Sequence, residues 1–110
     1  MNRIGMSVAA SGLLRALIAR AGVPRDRILL TGLQSTDWQS LTFVGERHQI
    51  QLRVPGPDSE KIVERLCQGL EDAEFSIAGQ IVADIVVIGT PVRAGDGSTA
   101  VSIEALTVAE

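Results

Sequence analysis

Pro55-Gly56-Pro57 cuts the chain into two halves of similar plan, each a helix followed by β structure. Proline lacks an amide hydrogen and has a fixed φ, so neither a helix nor a central strand runs through this tripeptide. An earlier stop, Gly22 with Pro24, ends the first helix in the same way. The chain is therefore read as one domain over residues 1–110, since about 100 residues is an ordinary domain size. The order is α-β-β-(β)-α-β-β, with the strand at Ile28–Leu33 the uncertain one. Helices this far apart do not suit a doubly wound sheet. The expected fold is α+β, a mainly antiparallel sheet of four to five strands with both helices packed on one face.

The helices carry the clearest signals. Leu13, Leu14, Leu17, Ile18 and Ala21 make one stripe on a helix from Ser7, its expected N-cap, to Ala21. Asp58 is placed to start a second helix that reaches about Asp72, with Ile62, Val63, Leu66, Cys67 and Leu70 on its apolar face. Cys67 at such a position reads as a small core side chain.

The β segments predict a hairpin of Trp38–Val44 with Arg47–Val54 around a Gly45-Glu46 turn, where a glycine suits type II′ geometry. Gly32 and the polar Gln34–Asp37 stretch are expected to form a bend or bulge before it. That turn pairs Phe43 with His48 and Leu41 with Ile50 on the core side. On the other side it sets Trp38 against Arg53, in company with Arg47, Gln49 and Gln51. Residues 80–88 and 99–108 are two further strands, joined through Gly95-Asp96-Gly97.

Composition narrows the function classes. Aromatic residues are 3% of the chain, limited to Trp38, Phe43 and Phe75, too few for a base-stacking or proline-recognising surface. The net charge is −3, yet residues 1–57 carry seven arginines against three acids and residues 58–110 carry three bases against ten acids. Such asymmetry suits attraction between layers or copies of one domain; a basic face for an anionic partner is the alternative. With no groove-reading motif and an acidic total, nucleic acid is not the expected partner. No apolar run is long enough to span a bilayer. A single cysteine and no recognisable leader point to the cytoplasm.

The segments Trp38-Gln39-Ser40-Leu41-Thr42-Phe43-Val44-Gly45-Glu46-Arg47-His48 and Ile81-Val82-Ala83-Asp84-Ile85 resemble small hypothetical proteins of sphingomonad-type alphaproteobacteria, over most of residues 36–108. The resemblance implies a bacterial cytoplasmic protein and carries no activity, ligand or catalytic residue to individual positions.

Catalytic machinery is sparse. No Walker loop, G-x-G-x-x-G or G-x-S-x-G is present. One histidine cannot make an all-histidine metal site, so neither a metal nor a cofactor is expected. His48 and Asp84 are the catalytic candidates: His48 as the natural base near neutral pH, with Asp37, Asp84 or Glu104 as its carboxylate. Asp84 interrupts an apolar strand and needs water, an arginine or a backbone amide beside it. Structural roles are expected for both. The leading expectation is a non-enzymatic interaction or structural module that forms a homo-oligomer; a small-ligand protein or enzyme using His48 is the alternative. Val82, Val86 and Ile88 on one strand face, with Trp38, form the candidate interface.

Overall fold

A computed structural model describes residues 6–110; Arg3, one of the seven arginines above, lies outside them. Helix α1 spans Val8–Ala21. The Ser7 hydroxyl accepts from the Ala10 amide at 3.0 Å, and Gly22 closes the helix in the left-handed region at φ 73°. Ala10, Leu13, Leu17 and Ala21 are fully buried on its inner face. Helix α2 spans Ser59–Cys67 and buries Ile62, Val63 and Leu66. It stops short of Asp72 because Gly69 turns left-handed at φ 66°, and Leu70–Asp72 continues as a separate 3-10 turn. The two helices are tied by charge as well as packing. Arg20 of α1 donates to the carbonyls of Leu66 and Gln68 at the carboxyl end of α2, where a cation also meets the helix dipole.

Four strands form one antiparallel sheet: β1 Leu29–Gln39, β2 Val44–Val54, β3 Gln80–Arg93 and β4 Thr99–Ala109, in the order β1-β2-β4-β3. Both helices lie on one face, over a core that includes Ile50, Leu52, Val101 and Ile103. The α+β class, the antiparallel sheet and the helical layer are as expected, with four strands where four to five were expected.

The first hairpin departs from expectation. Its turn is Ser40–Phe43, and Gln34–Asp37 is part of one continuous eleven-residue strand. Ser40 fastens this turn: its amide donates to the Phe43 carbonyl at 2.9 Å, and its hydroxyl accepts from the Phe43 amide at 3.0 Å. His48 therefore pairs with Ser35, not Phe43, and Ile50 with Leu33, not Leu41. Trp38 lies opposite Gly45 and Arg53 opposite Leu29, so the expected Trp38–Arg53 pair does not form. The role of Gly45 is close approach, since a Cβ there would collide with the Thr107 carbonyl oxygen of β4.

In the second hairpin β3 continues past Ile88 to Arg93, absorbing Gly89-Thr90-Pro91 as an irregularity. The turn closes with the Ala94 amide donating to the Ser98 carbonyl at 2.8 Å. Asp96 accepts from both the amide and the hydroxyl of Ser98, which holds its carboxyl below the usual carboxylate range.

Candidate functional site

His48 points from β2 towards the helices and is completely buried. Its Nδ1 lies 2.8 Å from Ser35 Oγ of β1 and its Nε2 2.8 Å from Thr107 Oγ1 of β4. The Thr107 hydroxyl in turn reaches the Glu46 carbonyl at 3.5 Å. A consistent chain of donors follows: Thr107 donates to that carbonyl, Nε2–H donates to Thr107, and Ser35 donates to Nδ1. The imidazole is thus a neutral tie across three strands. Burial lowers its pKa below the ordinary histidine value; the Glu46 carboxylate nearby opposes the shift more weakly.

This arrangement does not make a general base. Both ring nitrogens are engaged by hydroxyls, and the side chain meets no solvent. Its three expected carboxylate partners are elsewhere. Asp37 pairs with Glu46 and is exposed, while Asp84 and Glu104 lie on the opposite face of the sheet. Glu46 accepts from the Ser7 hydroxyl at 2.7 Å, joining β2 to the start of α1. Cys67 is half-buried, and desolvation raises its thiol pKa despite the opposing charge of Arg20. Among the described residues no group of three or more His, Cys, Asp or Glu side chains is placed to hold a metal.

A cleft of about 640 Å³ runs between α2 and the far end of β3, lined by Glu60, Val63, Glu64, Cys67, Pro91 and Arg93 among others. Arg93 and Glu60 form an ion pair at 2.6 Å across it, both side chains more than half exposed. His48 does not line this cleft.

The face of the sheet away from the helices gathers the remaining candidates. Its register gives ordered rows: Trp38-Gly45-Val108-Ile81, then Thr36-Arg47-Leu106-Asp84, then Gln34-Gln49-Glu104-Val86. A fourth row ends at Ile88, opposite Ser102. Trp38, Val86 and Ile88 share one face. Val82 does not. The bulge between Val82 and Asp84 reverses the alternation, so Val82 packs against the helical core and Ile81 takes the outer position. Ile81 and Ile88 are each 49% exposed, whereas the neighbouring Leu106 and Val108 of β4 are buried although no helix of the described residues covers them.

Charge is also sorted across this face. Arg47 bonds Glu104 at 3.2 Å, and Arg53 lies 3.6 Å from Asp96. Asp84, expected to meet water, an arginine or an amide, is exposed to solvent. The hydroxyl partners of His48, partly buried Ser35 and buried Thr107, and the outer position of Ile81 escape sequence reasoning. The available signals are a serine inside a polar strand and a threonine in an apolar one.

No helix of the described residues is long and apolar enough to cross a membrane. The chain matches no family model, no curated protein and no solved structure, so any function must be argued from its own surface.

Proposed function

We propose that this chain is a non-catalytic interaction module that self-associates through the outer face of its sheet. The observation that carries the reading is the apolar side of that face, which no described helix covers. Ile81, Val86 and Ile88 of β3 leave apolar surface exposed beside Leu106 and Val108 of β4, which are already buried within the chain, and Trp38 lies at the other end of the Ile81 row. An antiparallel sheet can meet water on one side when that side is polar. Here the β1–β2 half is mainly polar, the β4–β3 half sets Ile81, Val86 and Ile88 among Asp84, Glu104 and Ser102, and exposed apolar side chains of this kind are better covered. The seclusion of His48 favours this reading over a histidine-dependent enzyme. A lone, half-buried thiol suits a reducing cytoplasm.

Sedimentation or light scattering between 1 and 100 μM, roughly the range of weak to moderate dimers, tests it. Expected is a mass that rises from one 11.7 kDa chain towards two. Trp38→Ala should lower association with a smaller effect on the unfolding of the isolated chain. A mass of one chain at every concentration overturns the reading.

A further inference from the structure

Resting on that reading, we infer that two copies pack face to face about a two-fold axis parallel to the strands, between β2 and β4. Such an axis exchanges β1 with β3 and β2 with β4 while keeping each row in place. A residue then meets the one in the mirror position of its own row. Trp38 of one copy lies over Ile81 of the other. Gln49 lies over the second copy's Glu104. Arg47 comes within side-chain reach of the second copy's Asp84, an exposed acid of this face that forms no ion pair among the described residues. The polar β1–β2 half of each copy, which carries the two arginines of the face, thereby covers the more acidic and apolar half of its mate.

Competing arrangements fit less well. An axis perpendicular to the strands stacks β3 on β3 and β4 on β4, so Asp84 and Glu104 face the acid-bearing strands of the second copy and not the arginines of β2. Edge-to-edge pairing along β3 is obstructed by the irregularities at Val82/Asp84 and Ile88/Val92, and Pro91 supplies no amide hydrogen. It would also leave the apolar face uncovered. The area is adequate: four strands about 4.8 Å apart, over ten residues of about 3.3 Å rise, give a face of roughly 600 Å². Two such faces bury about 1,200 Å² in total, the lower end of specific interfaces, consistent with a dimer of modest affinity.

The test uses charge reversal in two chains that are then mixed. Asp84→Arg sets arginine against Arg47 across the interface at both symmetric contacts. A second chain carries Arg47→Glu, with Glu104→Gln to remove its in-chain repulsion, and sets glutamate against Asp84. Each alone should dimerise at least tenfold more weakly than the wild type by sedimentation. An equimolar mixture should recover the two-chain mass, because both cross-interface pairs become opposite in sign. Within one chain Arg47 and Asp84 are separated by β4, so a purely structural effect would not be rescued by mixing. Circular dichroism first establishes that each variant folds. If one does not, Asp84→Asn and Arg47→Gln replace the reversals, and each should weaken dimerisation several-fold. A monomeric wild type overturns both this arrangement and the self-association reading. A dimeric wild type with undiminished variants, or a mixture that stays monomeric, overturns the arrangement alone.

Discussion

Acidifying the solution should weaken the fold through His48, and the size of the effect follows from the site. Above about pH 7.5 the imidazole is neutral in both folded and unfolded chains, so its contribution does not change with pH. As pH falls through the unfolded value of 6.5, the unfolded chain takes up a proton that the folded chain resists, because burial lowers the native pKa. More protons are then bound by the unfolded state, so stability rises with pH and is lost as pH falls from 6.5 towards the depressed native value. One proton limits the slope to about 1.4 kcal/mol per pH unit, and the cumulative loss at pH 5.5 to about 1.4 kcal/mol. The geometry states what protonation would demand. Ser35, which donates to Nδ1 of the neutral ring, would have to turn its hydroxyl and accept instead. Urea unfolding followed by Trp38 fluorescence at pH 7.5, 6.5 and 5.5 measures the slope, at one fixed protein concentration because association adds to apparent stability. His48→Gln should flatten the dependence over this window, where ordinary carboxylates are still ionised. Thr107→Val should leave Nε2–H buried without its acceptor and cost about 1–3 kcal/mol at neutral pH. Equal slopes in wild type and His48→Gln would refute the account.

Two further outcomes check the core and the sheet. Leu66→Ala should cost about 2–5 kcal/mol in a denaturant titration, since Leu66 is fully buried, whereas exposed Glu64→Ala should be nearly neutral. Gly45→Ala should cost about 1–3 kcal/mol by forcing β2 away from the Thr107 carbonyl, while Gly95→Ala, which meets open space, should be close to neutral in the same titration.

The layers of the fold were legible because helical periodicity and strand alternation report burial directly. Ser7, Gly22, Leu13 and Leu66 all occupy the positions their pattern implies. Register was not legible, because Gly45 satisfies two descriptions: a tight turn and a close pass between backbones. Placing the turn at Gly45-Glu46 paired Phe43 with His48, whereas the strand pairs Ser35 with it. That is a slip of eight residues, an even number, and an even slip keeps the faces of the positions that stay paired, while Leu41 and Phe43, expected on the core side, fall in the exposed turn. For this reason Trp38 was assigned correctly to the side of Arg47 and Arg53 while its cross-strand neighbour was wrong. It is also why the environment of His48 was missed. A hydroxyl two strands away has no fixed spacing in sequence, and Thr107 becomes its partner only through the pairing of β2 with β4.

The bulge in β3 shows how one charge can decide which apolar residues reach the surface. Val82 packs towards the helices, and uninterrupted alternation from there would carry Asp84, Val86 and Ile88 to the same side. Asp84 would then enter the core as a lone carboxylate, at a cost of several kcal/mol before any pairing. The extra residue at Ala83 turns the strand over. Val82 and Ile85 both stay inside, and Asp84 goes out to water. Val86 and Ile88 are carried out with it, next to Leu106 and Glu104 of β4. The apolar strip on the outer face is thus coupled to the acid that interrupts its sequence. Whatever covers the strip must meet a carboxylate at its side, and the nearest arginine in β2, Arg47, lies beyond β4 in the same chain. In the proposed dimer, a second copy turned about the strand direction brings Trp38 over Ile81 and Arg47 within reach of that carboxylate.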